Sequence, residues 1–520
     1  MNGITSVNAK EVASSDVLSA QSKVIEPAFV ASSSSDLDLS DSLSALLQKM
    51  QESFTKHPSP SLDERKQKLL KLKQSLITHQ KSLVQALSED FGYRSEFDST
   101  MADIMPTVAQ INYTLKRLNK WAKPSRRHAG LMFAPSKVSV QYQPLGVVGI
   151  ISPWNFPVIL SLAPLVTALA AGNKVMMKLS EFTPKTNQVI RTIVAVISKD
   201  VEVVEGEAQV AQAFSQLRFD HLLFTGSTSV GHAVAKVAAQ NLTPVTLELG
   251  GKSPVIVADD VCATDAGLIK AIDAILFGKC LNAGQICVSP DYAFVPQAKV
   301  DKFVQLFLAR FEKHYPAGKK GRDFTHIINQ RQYERLQSYL RDAQEKGGCI
   351  HAVKTETKAE ANTKLSKPSS ERDVTRRLLP HLITDVNDDM LIMQQEIFGP
   401  ILPIKPYKYL HEAIDYINHG ERPLALYLMS NDKNTTKTVL RNTHSGGVGI
   451  NDTVLHVGAE DAPFGGIGES GIGHYHGVEG FKTFSHAKTV FNTPTWLPRI
   501  SFLMKHKKFA VRTFKRWFIR

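Results

Sequence analysis

Cysteine is scarce: Cys262, Cys280, Cys287 and Cys349 are the only four in 520 residues, with no CxxC and no zinc-type pairing with histidine. That scarcity speaks against a disulfide framework and a zinc site, and it is the usage of a chain kept in a reducing, cytoplasmic compartment. A secretory signal is missing too, because the first forty residues are serine-rich ("ASSSSDLDLSDS") and hold no compact apolar core behind a basic start. Residues 1–40 are expected to form a disordered tail. Long apolar runs are also absent. The longest, "FPVILSLAPLVTALAAG" at 156–172, is interrupted by Pro157 and Pro164, falls short of a bilayer span and reads as a buried helix. Acid is short relative to base, giving a net charge of +13, but residues 499–520 alone hold eight lysines and arginines and no acid, which leaves +5 for the rest. The basic excess is a property of the tail, so no nucleic-acid partner is expected.

What is present is alternation. Leu69, Leu72, Leu76, Leu83 and Leu87 recur at helical spacing over 62–91, and 103–121 predicts a further helix before "KPSRRHAG" breaks the pattern. "VSVQYQPLGVVGIISPWNFP" then reads as an extended arm and a buried strand. "NKVMMKLSE" and "FDHLLFTGS" read as further strands, each followed by a helical stretch. Such alternation predicts an α/β fold with mostly parallel, covered sheets. A second α/β segment starts at "VTLELGGKSPVIVADD" and runs to "LALYLMSND", interrupted at 353–377 by a polar stretch poor in aromatics that reads as a solvated insertion.

Several stretches carry chemistry. "NAGQICVSPDY" (282–292) sets Cys287 between Gly284 and Pro290, both of which interrupt regular structure, so the backbone is expected to bend and present one side chain. A buried structural cysteine beside a loop has the same local text. In "FTGSTSVGHAVAKVA" (224–238) a strand delivers Gly226 and Ser227 to a turn, and the following helix opens with free amides able to meet a pyrophosphate. The spacing from Gly226 to Gly231 is not the GxGxxG fingerprint, and a plain strand-to-helix turn reads the same. "KLSE" ends another strand with Lys178 and Glu181, which suit ribose hydroxyls or a surface ion pair. A thiolate attacking a carbonyl creates an oxyanion, and the Asn155 amide in "PWNFP" is a suitable donor. Glu248 in "LELGGKSP" lies on an apolar strand, where desolvation raises a carboxyl toward the range of a useful base. "QEIFGPILPI" sets Glu396, able to bind ribose hydroxyls, two residues from Phe398, able to pack on a planar ring. Each has an ordinary reading as well: a turn former, a buried ion pair, core.

Taken in order, "PWNFP", "KLSE", "FTGSTSVG", "LELGGKSP", "GQICVSPDY", "EIFGPILP" and "PFGGIGESGIGHYHGVEGFKTFSHAK" resemble the aldehyde dehydrogenase superfamily over residues 45–495. The "PDY" after the cysteine and "SGIGHYHG" resemble its class 3 branch, and "YQPLGVVGIISPWNFP" with "QNLTPVTLELGGKSP" is similar to the bacterial coniferyl aldehyde dehydrogenases within it. The resemblance implies a Rossmann-type NAD(P)-binding domain at 41–248 with its extended arm near 124–144. It further implies a catalytic α/β domain at 249–450, a segment at 451–498 that completes the site and the homodimer contacts, and a small oligomerisation arm. Cys287 would be the nucleophile, with its thiohemiacetal oxyanion held by Asn155 and the Cys287 N–H, and Glu248 would activate the water that hydrolyses the thioester. Lys178 and Glu181 would hold the adenosine ribose, Gly226, Ser227 and Gly231 would form the pyrophosphate turn, and Glu396 and Phe398 would position the nicotinamide. NAD and NADP both stay open, because Glu181 disfavours a 2′-phosphate only if it cannot swing away. No metal is implied.

Two departures from the family pattern concern substrate and loop structure: Ile286 before the cysteine, where many relatives carry a small residue, and the length of 353–377. The implied substrate is a hydrophobic, aromatic aldehyde of coniferyl type. A long-chain fatty aldehyde met at a membrane is the alternative. A CoA-acylating enzyme is disfavoured by Glu248, and a non-enzymatic lipid-binding protein would rest on the tail alone. Laid on one helix, residues 499–520 put Phe502, Phe509, Phe514 and Trp517 on one side and Lys505, Lys508, Arg512 and Lys515 on the other. That face suits peripheral contact with anionic lipid or packing on the subunit or its dimer partner.

Overall fold

The computed structural model describes residues 34–318, 321–353 and 376–519. Most of the expected tail (1–33) and most of the polar insertion (354–375) lie outside the described residues. The first helix runs Ser34–Lys56, so the tail boundary drawn at residue 40 falls inside it and is corrected.

Three sheets organise the described residues. The six-stranded one has the order Gly471–Ile472, Val245–Glu248, His221–Thr225, Val147–Ile151, Lys174–Lys178, Val201–Val204, and is parallel except for its first, two-residue strand. Its three central strands are buried at every position, as their continuous apolar text demands of a sheet covered on both faces. Val147–Ile151 pairs with Lys174–Lys178 on one side and with His221–Thr225 on the other, so the strand order reverses there. Strand connections diverge at such a point and leave a crevice beyond the carboxyl ends. The apolar run that follows forms the helix Ile159–Ala171, buried throughout from Ser161 onward, and it ends where Gly172 turns left-handed at φ 99°.

The seven-stranded sheet has the order Cys349–Ala352, His381–Thr384, Ile401–Tyr407, Tyr292–Pro296, Pro254–Val257, Ala425–Met429, Gly447–Ile450, and only its first strand is antiparallel. The arm is a three-stranded antiparallel sheet in which Lys137–Pro144 lies between Ser125–Arg127 and Ser485–Asn492. Residues beyond 450 therefore return to complete both the first sheet and the arm.

Two helical expectations change. The run 62–91 is two helices, Leu62–Thr78 and Gln80–Phe91, separated at His79. The first is opened by a capping box in which Ser61 and Glu64 satisfy each other's backbone amides. The tail is likewise two helices, Arg499–Lys505 and Lys507–Phe518, broken at His506. Only Ala510 in them is buried, and Phe509, Trp517 and Phe518 are exposed, so packing of that apolar face on its own subunit is not what the described chain does. The start of the tail is pinned by Arg499, which donates to the carbonyls of Phe133 (2.6 Å) and Ala134 (3.0 Å) in the arm. Among the described residues no helix is long and apolar enough to cross a membrane.

Candidate active site

The loop that carries Cys287 is built from an unusual turn. After the helix Asp265–Cys280, Asn282, Ala283 and Gly284 all take positive φ (49°, 53° and 70°). Only at Gly284 is glycine demanded by space as well as by φ: a Cβ there would lie 2.6 Å from the Gly399 carbonyl oxygen. Asn282 and Ala283 are held in a region unfavourable to them by what surrounds them. The buried Gln285 side chain donates to the carbonyls of Asn282 (2.9 Å) and His326 (3.0 Å) and accepts from the Ile328 amide (3.0 Å). On the far side, the Ser289 hydroxyl donates to the Gly278 carbonyl at 3.0 Å and Tyr427 donates to the Val288 carbonyl at 2.6 Å. Asp291 pairs with Lys252 and accepts from the Ile397 amide at 2.9 Å. Cys287 is thus carried on a loop tied on both flanks, with its side chain in a cavity.

That cavity lies at the carboxyl end of Val147–Ile151, where the strand order reverses. It brings together Asn155, Gly226, Ser227, Glu248, Cys287, Glu396 and Phe398. The Asn155 amide nitrogen donates to the Gln285 carbonyl at 3.1 Å. A carbonyl can only accept, so the nitrogen end of that amide faces the nucleophile loop, and an amide nitrogen has a second hydrogen to offer.

The electrostatics are those of a dry site. Glu248 ends its strand 3% exposed, neither of its carboxyl oxygens has a hydrogen-bond partner among the described residues, and burial raises its pKa well above the ordinary carboxyl value. Burial pushes Glu396 up to about 8, with the charge of Asp291 adding to the effect, and one of its oxygens is also unpartnered. The Cys287 thiol is pushed up to about 12 by burial and then by Glu396 and Glu248. That surrounding favours thiol over thiolate, so attack by the sulfur calls for a base, and the two carboxyls are the titratable acids that line the same cavity.

Not every predicted residue reaches the cavity. Lys178 and Glu181 sit on the adjoining strand end, their side chains 3.2 Å apart, outside the lining. Gly231 is on the helix Thr228–Gln240 and not in the cavity; a Cβ there would meet Leu249 at 2.5 Å, so its smallness lets the helix approach the segment after Glu248. Glu396 and Phe398 both line the cavity, from a segment that bends at Phe398 with φ 49°.

Trp154, Gln332 and Arg335 were not anticipated. Trp154 meets the Phe398 ring edge-on at 5.3 Å, and Arg335 donates to the carbonyls of Ile397 (2.7 Å) and Glu396 (3.3 Å), holding that bent segment in place. Trp154 was within reach of sequence reading as the neighbour of Asn155 in "PWNFP". Arg335, sixty residues from what it holds, had no local signal.

The residues fit a dinucleotide. Ser227 precedes the helix Thr228–Gln240 without capping it, which leaves first-turn amides open to an anion, and the unpartnered Glu396 oxygen is an acceptor waiting for hydroxyl donors. A thiol beside a nucleotide crevice is the arrangement of an oxidoreductase that holds its substrate covalently while a hydride departs.

The chain belongs to the aldehyde dehydrogenase family, whose model matches residues 22–490. It is 48% identical over 454 residues to a protein of Pseudomonas aeruginosa named "Probable coniferyl aldehyde dehydrogenase", covering 87% of this chain and 91% of that one. It is 40% identical over 455 residues to the "Coniferyl aldehyde dehydrogenase" of Pseudomonas sp. strain HR199, covering 86% and 90%. Among solved structures it resembles "Substrate bound state of Staphylococcus Aureus AldH", with a TM-score of 0.79 and 34% identity over 91% of this chain and 99% of that one. The activity is oxidation of an aldehyde with NAD or NADP as acceptor.

Proposed function

We propose that the enzyme oxidises a hydrophobic aromatic aldehyde of coniferyl type to its carboxylic acid, with Cys287 as the nucleophile. The observation that carries the mechanism is the meeting of Cys287, Asn155 and Glu248 in one cavity at the strand-order reversal. The substrate class is supported by the relatives of 40% and 48% identity that carry coniferyl aldehyde dehydrogenase names.

Cys287 adds to the aldehyde carbon as its thiol proton passes to one of the neighbouring carboxylates, Glu396 or Glu248, the carbonyl π electrons move onto oxygen, and the resulting thiohemiacetal oxyanion is met by the Asn155 amide and the Cys287 N–H. A bound nicotinamide would accept the hydride that leaves the thiohemiacetal carbon, leaving a thioester on Cys287. Glu396 and Phe398 would orient its ring half, Lys178 and Glu181 would hold the adenosine ribose, and the Gly226–Ser227 turn would face the pyrophosphate. Glu248 then takes a proton from the water that attacks the thioester, which favours hydrolysis over transfer to CoA.

Because burial raises the Glu248 carboxyl above the ordinary carboxyl range, its basic form grows as pH rises, and turnover is expected to increase with pH. Glu248→Gln removes that rise and lowers kcat by about 10²-fold or more while a first burst of reduced nicotinamide remains. A pH profile of both forms, with the burst measured, checks it. A lost burst would place Glu248 in the first half-reaction instead.

The homodimer belongs to this proposal, with 451–498 supplying its contacts. Peripheral membrane contact through residues 499–520 is supported by the exposed Phe509, Trp517 and Phe518 beside basic residues. Initial rates with coniferaldehyde and with a long-chain alkanal, each with NAD and NADP, test the substrate. Coniferaldehyde is expected to have the higher kcat/KM. An alkanal preference that falls when residues 499–520 are deleted would replace this reading with a fatty aldehyde met at a membrane.

A further inference from the structure

We propose that Arg94 is a positioning residue for the oxyanion donor, acting through the backbone carbonyl of Asn155. The inference rests on the oxyanion role of Asn155 proposed above. Arg94 is 1% exposed, with its guanidinium 4.9 Å from the centroids of both the Phe91 and Phe156 rings. Its Nη1 donates to the Asn155 carbonyl oxygen at 3.0 Å, and the same oxygen accepts from the Asn282 side-chain Nδ2 at 3.1 Å. With the Asn155 side chain donating to Gln285, the oxyanion donor and the nucleophile loop are bonded to each other in both directions, and Arg94 is the charged group that holds the junction.

Two carboxylates on the following segment complete the frame. Asp103 lies 3.3 Å from Arg94 and accepts from the Ile159 amide at 2.7 Å, which fixes the start of the helix after Asn155. Asp98 accepts from the Asn282 amide at 3.1 Å, at the head of the left-handed turn. On an α-helix, residues five apart point about 140° away from each other. Here Thr100–Ile104 is a π-helical turn, and the wider turn lets Asp98 and Asp103 both face inward. Burying a guanidinium costs more than its pairing commonly returns, and the Arg94 Nε has no hydrogen-bond partner among the described residues. Geometry at the Asn155 peptide, not stability, is what this arrangement serves.

A double-mutant cycle in the full-length enzyme tests it, with Arg94→Met and Arg94→Lys each made alone and with Asn155→Ala. Arg94→Met is expected to lower kcat by about 10- to 100-fold with nucleotide Kd unchanged, and to cost less than about threefold once Asn155 is alanine. Arg94→Lys, which keeps a donor and a charge, is expected to fall between, and it carries the cycle if the methionine variant does not fold. Equal losses in both backgrounds, or a nucleotide affinity that falls in step with kcat, overturns the inference. If Asn155→Ala alone leaves kcat intact, the oxyanion assignment has failed first and takes this one with it.

Discussion

Cys287→Ala is expected to abolish aldehyde-dependent formation of reduced nicotinamide while nucleotide binding persists. In the proposed mechanism the sulfur is the atom to which the aldehyde carbon bonds, and no other cysteine lies where it could replace it. Cys262 and Cys280 are buried in the core, Cys349 is exposed on the edge strand of the second sheet, and none of them lines the cavity. The loop keeps its shape without the sulfur, because its bonds come from Gln285, Ser289, Asp291 and Tyr427. The measurement is the rate of absorbance gain from reduced nicotinamide, beside a nucleotide titration of the same preparation. Turnover above a trace in a folded, nucleotide-binding variant would mean that the nucleophile is another group.

Asn155→Ala is expected to lower kcat by about 10²- to 10³-fold, or about 2.7–4 kcal/mol of transition-state stabilisation, the range for removal of one oxyanion donor. The Asn155 carbonyl keeps its bonds from Arg94 and Asn282, so the peptide should stay where it is and the loss should fall on the side-chain amide. Steady-state kinetics decide between roles. A fall in kcat and kcat/KM together marks an interaction made in the transition state, whereas a change confined to KM would make Asn155 a substrate-positioning residue.

Cys287, Asn155, Glu248 and the Gly226–Ser227 turn were legible because each depends on a few neighbouring letters: an interruption of regular structure, a carboxylate closing an apolar strand, a glycine where a strand meets a helix. Asn155, Glu248 and the Gly226–Ser227 turn meet because the parallel strands of the six-stranded sheet point their carboxyl ends the same way, and Cys287 reaches them on a loop that precedes a strand of the other sheet. Other features had no such text. Asn282 and Ala283 are ordinary residues in a left-handed conformation, held by the neighbouring Gln285 side chain and by Asp98, which reaches the Asn282 backbone amide from 184 residues away. The tail reads as one amphipathic helix, yet His506 breaks it, because helical periodicity reports which side is apolar and not where the backbone turns.

The sequence by itself determined the α/β class and the aldehyde-oxidising chemistry and nominated the candidate reacting groups, since strand periodicity and short motifs are local properties of the chain. The tertiary structure decided the state of those groups. Whether a carboxyl is dry enough to be raised, as Glu248 is, depends on residues that arrive from several elements. Gly231 shapes packing against Leu249 rather than meeting the cavity, and Arg94, distant in sequence, holds the Asn155 peptide. Desolvation and long-range hydrogen bonds come into being only when distant segments close on one another, and no window of sequence contains them.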